Sequence, residues 1–394
     1  MNEAPTRVGR IIDTTSMATG TTSASYAQQV IEALLDRADV QINGDRPWDP
    51  QVHDDRVYQR VVSGGSLALG EAYMDGWWDC AALDQLFYRF MQADLHEEVG
   101  RSWEQIWKLV KAFVLNPQSL TRAYEVGEVH YDRGDDLFEQ MLDDRMVYSC
   151  GYWRDAETLT EAQAAKLDLV CRKLQLTPGM RVLDIGCGWG SFAEYAAEEY
   201  GCTVVGVTIS EEQAERAQRR CRDLSVEIRL QDYRRVEETF DRVVSIGMFE
   251  HVGRQNYRTY MEVVRRCLVD DGLTLLHTIG NHEQSPEQEP WLEKYIFPNG
   301  YIPSMQQITV AAEDLFVVED WHNFGPDYDR TLMAWAQNFE EAWPTLADDY
   351  SDRFYRMWRY YLYQCAGSFR ARRNQLWQVV LSPEGVARRY ESVR

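Results

Sequence analysis

Asp184-Ile185-Gly186-Cys187-Gly188-Trp189-Gly190 is the segment of this 394-residue chain whose residue types and spacing point most directly to chemistry. Its glycines permit a tight turn and let a ligand approach the backbone closely. Two ligand classes use such a turn. A dinucleotide takes GxGxxG, whose amides cradle a pyrophosphate at a helix N-terminus. Here the spacing is GxGxG with an acid ahead of it. That suits S-adenosylmethionine (SAM), whose amino-acid tail needs polar contacts and no pyrophosphate cradle. The loop alone leaves a dehydrogenase open.

The polar residues further on narrow the choice, because each follows a segment that reads as a strand, and open α/β sheets bind ligands at the carboxyl ends of their strands. After a second strand come Thr208, Ile209, Ser210 and Gln213. After a third come Asp232 and Tyr233, an acid and an aromatic suited to the amine and the face of an adenine. After a fourth comes Gly247-Met248-Phe249-Glu250-His251. This order is that of a Rossmann-like SAM-dependent methyltransferase. Such enzymes usually carry an acid for the ribose after the second strand. Thr208, Ser210 and Gln213 stand there instead, which points to a subgroup.

Those strands are expected at Arg181–Ile185, 203–207, Val226–Leu230, Phe240–Ile246 and 273–277, with helices at 192–200, 211–224 and 257–268 between most of them. The alternation is the rhythm of a mostly parallel sheet in an α/β fold. Upstream, 26–37 reads as an amphipathic helix, with Val30, Ile31, Leu34 and Leu35 at helical spacing. The Gly-, Trp- and Tyr-rich run 64–78 reads as the tight packing of a small domain. A helix is expected over 102–115, broken by Asn116-Pro117, and 348–381 reads as helical. The domain division that follows is a flexible tail to residue 25, a smaller N-terminal α/β domain over 26–100, a helical linker over 101–127 and a SAM-dependent catalytic domain from 128 to 394.

Composition limits the function. Apolar residues make up 45% and charged residues 26%, so the core is ample. No apolar stretch has the roughly 18 residues of a spanning helix, and the N-terminus lacks the apolar region of a secretory signal. A net charge of −22 argues against nucleic acid as partner. From Arg353 onward, however, nine Arg meet two Glu, with no Lys or Asp. Eight cysteines stand singly, with no CxxC pair, so neither a metal site nor a disulfide framework is expected and a cytoplasmic setting fits.

The chain from about residue 26 resembles the cyclopropane-fatty-acyl-phospholipid synthases, relatives of the mycolic acid cyclopropane synthases. The resemblance rests on His130-Tyr131-Asp132, the Tyr148–Trp153 block, the loop at 183–190 and VVGVTIS at 204–210. It continues through GMFEHVG at 247–253, LLHTIG at 275–280, KYIFPNG at 294–300, the block 320–335 and QLWQVV at 375–380. It implies transfer of a methylene from SAM to the cis double bond of an unsaturated phospholipid acyl chain. A carbocation forms, bound bicarbonate takes the proton, and a cyclopropane ring closes. It implies a bicarbonate site at Cys150, Glu250, His277, Ile279 and Tyr328. It implies SAM contacts at Tyr148, Ser149, Asp184, Gly186, Gly188, Thr208, Ile209, Gln213, Asp232, Tyr233 and Gly247. The partner implied is a phospholipid membrane surface, approached from the cytoplasm at the inner leaflet, and a homodimer is compatible with it. Alkene methylation without ring closure and small-molecule N-methylation are the alternatives.

Taken singly, these residues have plainer readings. Glu250 reads as a helix-capping acid, His277 as a hydrogen-bonded core histidine, and Tyr328 and Cys150 as packing. Arg370, Arg372 and Arg373, beside Phe369 and Trp377, are expected to contact lipid phosphates, or else to pair with the chain's surplus acids. Trp77 and Trp78 are either an apolar membrane contact or interior.

Overall fold

A computed structural model of the protein describes residues 23–93, 135–282, 288–387 and 389–394. The helix expected over 102–115 and the linker lie outside them.

Seven strands form one sheet in the order β5-β4-β3-β6-β7-β9-β8. They are β3 (Arg181–Ile185), β4 (Thr203–Thr208), β5 (Val226–Leu230), β6 (Phe240–Ile246), β7 (Leu268–Asn281), β8 (Val317–Asn323) and β9 (Asn374–Ser382). β1 (Gln51–Val52) and β2 (Trp78–Asp79) make a separate antiparallel pair. Strands β3 to β7 pair in parallel. Val182, Leu183 and Ile185 are all buried, as a parallel strand covered on both faces requires. The chain runs outward from β3 through β4 to β5, then returns to β6 on the other side of β3. Strand order therefore reverses at β3 and β6, where loops diverge and leave a crevice.

The helix Ser191–Tyr200 begins directly behind the glycine loop, with Gly190 at φ +84°. The helix Leu159–Lys173 begins on a capping box between Thr158 and Glu161. The expected strands are all present, β7 being longer than expected. The C-terminal expectation is corrected. The helix Asp352–Arg370 stops, Arg372 turns at φ +62°, and β9 inserts between β7 and β8. β9 is buried on both faces, so its residues show no in–out alternation and resemble a helical apolar run. β8, which sequence reading missed, pairs with β9.

Residues 23–93 form three helices, Ser23–Arg37, Arg56–Met74 and Leu83–Gln92, together with the β1–β2 pair. The second is kinked at Gly65, at φ +61°. These helices share one core with Pro326–Leu346 and Asp352–Arg370, in which Tyr73, Trp78 and Phe87 cluster on Tyr360. Gly367 allows the closest approach: a Cβ there would lie 2.7 Å from Phe87 Cβ. Trp78 is therefore interior. Trp77, half-buried, lies beneath the guanidiniums of Arg56 and Arg60.

Candidate active site

A cavity of about 2390 Å³ opens over the carboxyl ends of β3, β4, β6 and β7 and runs under the N-terminal helices. Its wall includes every expected SAM contact: Tyr148, Ser149, Asp184, Gly186, Gly188, Thr208, Ile209, Gln213, Asp232, Tyr233 and Gly247. Gly186 sits at φ +79° and faces Met248, whose Cγ a Cβ would meet at 2.5 Å. A Cβ built on Gly188, at φ +53°, would meet nothing within 4 Å, so a ligand can approach the backbone there. Thr208 Oγ1 donates to Gln213 Oε1 at 3.1 Å, and the Ile209 side chain is 81% exposed beside them. Asp232 caps Arg234 N at 2.9 Å and pairs with its guanidinium, which holds the carboxyl below its usual range. Tyr233 lies 5.6 Å from Tyr260, ring to ring.

Asp184 is buried, with Oδ2 lacking any partner. Burial pushes its carboxyl up to about 7, against the pull of Lys166. The polar wall continues at the ends of β6 and β7. Glu250 follows β6 in a short turn of 3₁₀ helix; its Oε1 accepts the Ile279 amide at 2.7 Å, while Oε2 is buried without a partner. Burial raises its carboxyl. His277 Nδ1 faces Gln378 Nε2 at 3.3 Å, and Nε2 is buried with no partner. Burial, with Lys166 and Lys173 nearby, pushes the imidazole well below its usual range, so it is neutral at pH 7. Tyr328 lies over Phe369 at 4.6 Å, and burial keeps its phenol protonated.

Of the expected bicarbonate set, Glu250, His277, Ile279 and Tyr328 line the cavity. Cys150 packs with Ile279 and Tyr328. Sγ lies 3.1 Å from Gly151 O and meets Thr331 Oγ1, and the residue is not part of the cavity wall. Within the arginine cluster the structure corrects Arg370 alone; Arg373 lies in the cavity wall. Arg370 turns inward and pairs with Asp329 at 2.9 Å and Asp84 at 2.6 Å, and Arg373 donates to Met91 O. Only Arg372 of the three is exposed. Phe369 and Trp377 are buried.

Sequence reading missed Lys166, Gln378 and Tyr361, whose hydroxyl meets that of Tyr148 at 2.8 Å. One signal was available for Lys166. It falls on the stripe Leu159, Ala162, Gln163, Leu167, Val170 that helix Leu159–Lys173 buries.

A parallel sheet with a reversal at β3–β6, a GxGxG turn after its first strand and polar residues at each following strand end define a SAM-dependent methyltransferase. The chain belongs to the mycolic acid cyclopropane synthetase family, whose model matches residues 118–379. It is 54% identical over 354 residues to the cyclopropane-fatty-acyl-phospholipid synthase of Escherichia coli (strain K12), covering 90% of this chain and 93% of that one. It is 39% identical over 262 residues to cyclopropane mycolic acid synthase 3 of Mycobacterium tuberculosis (strain H37Rv), covering 62% and 91%. Among solved structures, the mycolic acid cyclopropane synthase CmaA1 complexed with SAH and CTAB matches with a TM-score of 0.61. That match has 34% identity and covers 68% of this chain and 99% of that one.

Proposed function

We propose that this enzyme transfers a methylene from SAM to the cis double bond of unsaturated phospholipid acyl chains and closes a cyclopropane ring. It would work on the inner leaflet as a peripheral cytoplasmic enzyme. The observation that carries this reading is the continuity of the cavity. Its polar end holds the glycine turn, Asp184 and Glu250, and its far end is lined by Val30, Leu34, Val61, Leu69, Leu86 and Phe90 of the three N-terminal helices. A small polar substrate has no use for that apolar extension; an acyl chain fills it. Presentation of the chain is thus a role for the N-terminal unit. The 54% identity to the E. coli phospholipid synthase supports the same substrate class. No described helix is long and apolar enough to cross a membrane, so the acyl chain must be drawn out of the leaflet.

SAM supplies an electrophilic methyl. An isolated alkene is a poor nucleophile, so the walls must hold it against that methyl, and proximity is worth roughly 7–11 kcal/mol when the geometry is right. Methyl transfer leaves positive charge on the chain. Tyr148, Tyr328 and Tyr361 line this part of the cavity, and desolvated aromatic faces stabilise a cation by about 2 kcal/mol. An apolar wall also keeps out the water that would capture the cation.

Bicarbonate, when bound, supplies the base that removes the last proton before the ring closes. The orphaned atoms fit it: neutral His277 offers Nε2 and Glu250 offers Oε2, both buried in the wall. Bicarbonate has an O–H to give to Glu250 and acceptor oxygens for an imidazole N–H. Proton sharing with a raised carboxyl also avoids setting two full anions side by side.

The test is expression in a host lacking ring-modified lipids, followed by phospholipid mass spectrometry. A gain of one CH2 per chain, with loss of alkene reactivity, is expected. A gain of CH2 plus two hydrogens would show methylation with reduction and overturn ring closure. Leu69→Trp fills the apolar end; it should retain SAH binding and lose lipid product. Undiminished activity of the native enzyme in carbonate-free buffer would remove bicarbonate from the reaction.

A further inference from the structure

Lys166 is fully buried in the cavity wall, and the sequence pattern did not mark it as functional. Its Nζ lies 2.9 Å from Ser149 Oγ. We propose that Lys166 is a cofactor-positioning residue: it orients the Ser149 hydroxyl to donate to the carboxylate of the SAM methionine tail and supplies the positive charge that this carboxylate meets.

An ammonium group has three donors and no acceptor. Ser149 Oγ must therefore accept from Lys166, and its own hydrogen points elsewhere. The Ser149 carbonyl is already taken, accepting from Gln163 Nε2 at 2.8 Å. One helix thus fixes both the backbone and the hydroxyl of this residue, Gln163 holding the first and Lys166, one turn on, the second. What remains is a hydroxyl donor backed by a buried cation in the wall of the cavity. That combination recognises an anion.

SAM carries a single carboxylate, in its tail. The nucleoside contacts, Thr208, Gln213, Asp232 and Tyr233, stand at β4 and β5, and Glu250 and His277 stand at the far side, after β6 and in β7. The tail belongs between them, at β3 and β6. There Ser149 faces Gly247: a Cβ built on Gly247 would lie 3.8 Å from Ser149 Cβ. The other charged groups around Lys166 are acids. Asp143 is committed to the amides of Val147 at 2.8 Å and Arg145 at 3.2 Å, whereas Asp184 keeps an unpartnered oxygen. Lys166 and Asp184 therefore sort the two ends of a zwitterion, carboxylate to the first and ammonium to the second. Burial pushes the Lys166 amine down to about 8, which leaves it mostly charged at pH 7 and ready for a counter-anion.

The inference rests on SAM binding at this site as proposed above, and the experiment separates the two. Calorimetry measures the affinity of the full chain for SAH and for its decarboxylated analogue, in the wild type, Lys166→Met, Ser149→Ala and the double variant. Lys166→Met should lose SAH affinity by roughly tenfold to a hundredfold, the range for a hydrogen bond to a charged group. It should leave affinity for the decarboxylated analogue within about twofold. In the Ser149→Ala background the further loss should be much smaller. Equal losses for both ligands, or no loss for either, would overturn the assignment. Should Lys166→Met fail to fold by circular dichroism, Lys166→Gln, which keeps a donor for Ser149 without the charge, is measured with the two ligands: a weaker hold on SAH with the analogue unaffected is expected, and equal effects on both would overturn the assignment. Failure of the wild type to bind SAH would instead remove the cofactor reading itself.

Discussion

Glu250 and Ile279 are joined by a 2.7 Å hydrogen bond from the Ile279 amide to the carboxylate Oε1. The end of β7 thereby fixes the carboxylate that follows β6 and leaves its other oxygen buried without a partner. Glu250→Gln should lower turnover by about 10²–10³, the usual effect of losing one well-placed electrostatic group. SAH affinity should change by no more than about threefold. His277→Ala should behave alike. A parallel loss of SAH affinity, read by calorimetry, would place these residues in cofactor binding instead.

The raised carboxyl of Asp184 carries a pH signature. Its folded value near 7 lies above the usual carboxylate range, so the folded chain holds a proton that the unfolded chain has lost between about pH 4 and 7. Stability from this group therefore falls as pH rises through that window. Cofactor binding shows the opposite slope, because the SAM ammonium prefers ionised Asp184. Below pH 7, SAH affinity should fall by up to about tenfold per unit, with proton release on binding that is large at pH 6 and fades as pH rises above about 8. Asp184→Asn should abolish that acid limb. An unchanged limb in the variant would assign it to another group.

The glycine turn separates two kinds of damage. Gly188→Val pays a backbone cost of about 1–2 kcal/mol for its positive φ but meets no protein atom within 4 Å. Gly186→Val pays the same and also collides with Met248. The first should fold and lose SAH affinity by more than about tenfold; the second should lose more stability, read by chemical denaturation. Wild-type SAH affinity in Gly188→Val would show that no cofactor backbone lies there.

Arg370 now has a structural role. Its pairs with Asp84 and Asp329 tie helix Leu83–Gln92 to helix Pro326–Leu346. Arg370→Gln should cost about 2 kcal/mol of stability and leave co-sedimentation with anionic vesicles unchanged. Arg372→Gln should leave stability unchanged. Weakened vesicle binding by Arg370→Gln with its stability intact would restore the membrane role expected from the sequence.

The order of strands β3 to β7, the turn between β3 and its helix, and the cavity-lining positions from Tyr148 to Tyr328 were legible in the sequence. Parallel strands read as apolar runs because both faces are covered, and their ligand contacts fall at predictable strand ends. The glycines are legible for a comparable reason: a positive φ and close approach exclude almost every other residue. These are local constraints, and each leaves its trace within a few residues. Long-range choices left none. That Arg370 met acids depended on Asp84 and Asp329, distant in sequence and brought close only by packing. The insertion of β9 between β7 and β8 was hidden for the same reason, since a strand buried on both faces carries no periodicity of its own. Burial on folding made Lys166 a charged group behind a serine, set the Cys150 thiol against Gly151 O and Thr331, and left Glu250 and His277 each with one unsatisfied atom. The residue types and their order came from the chain itself; which polar atoms found partners, and which were buried without one, was settled only when distant segments packed together and excluded water.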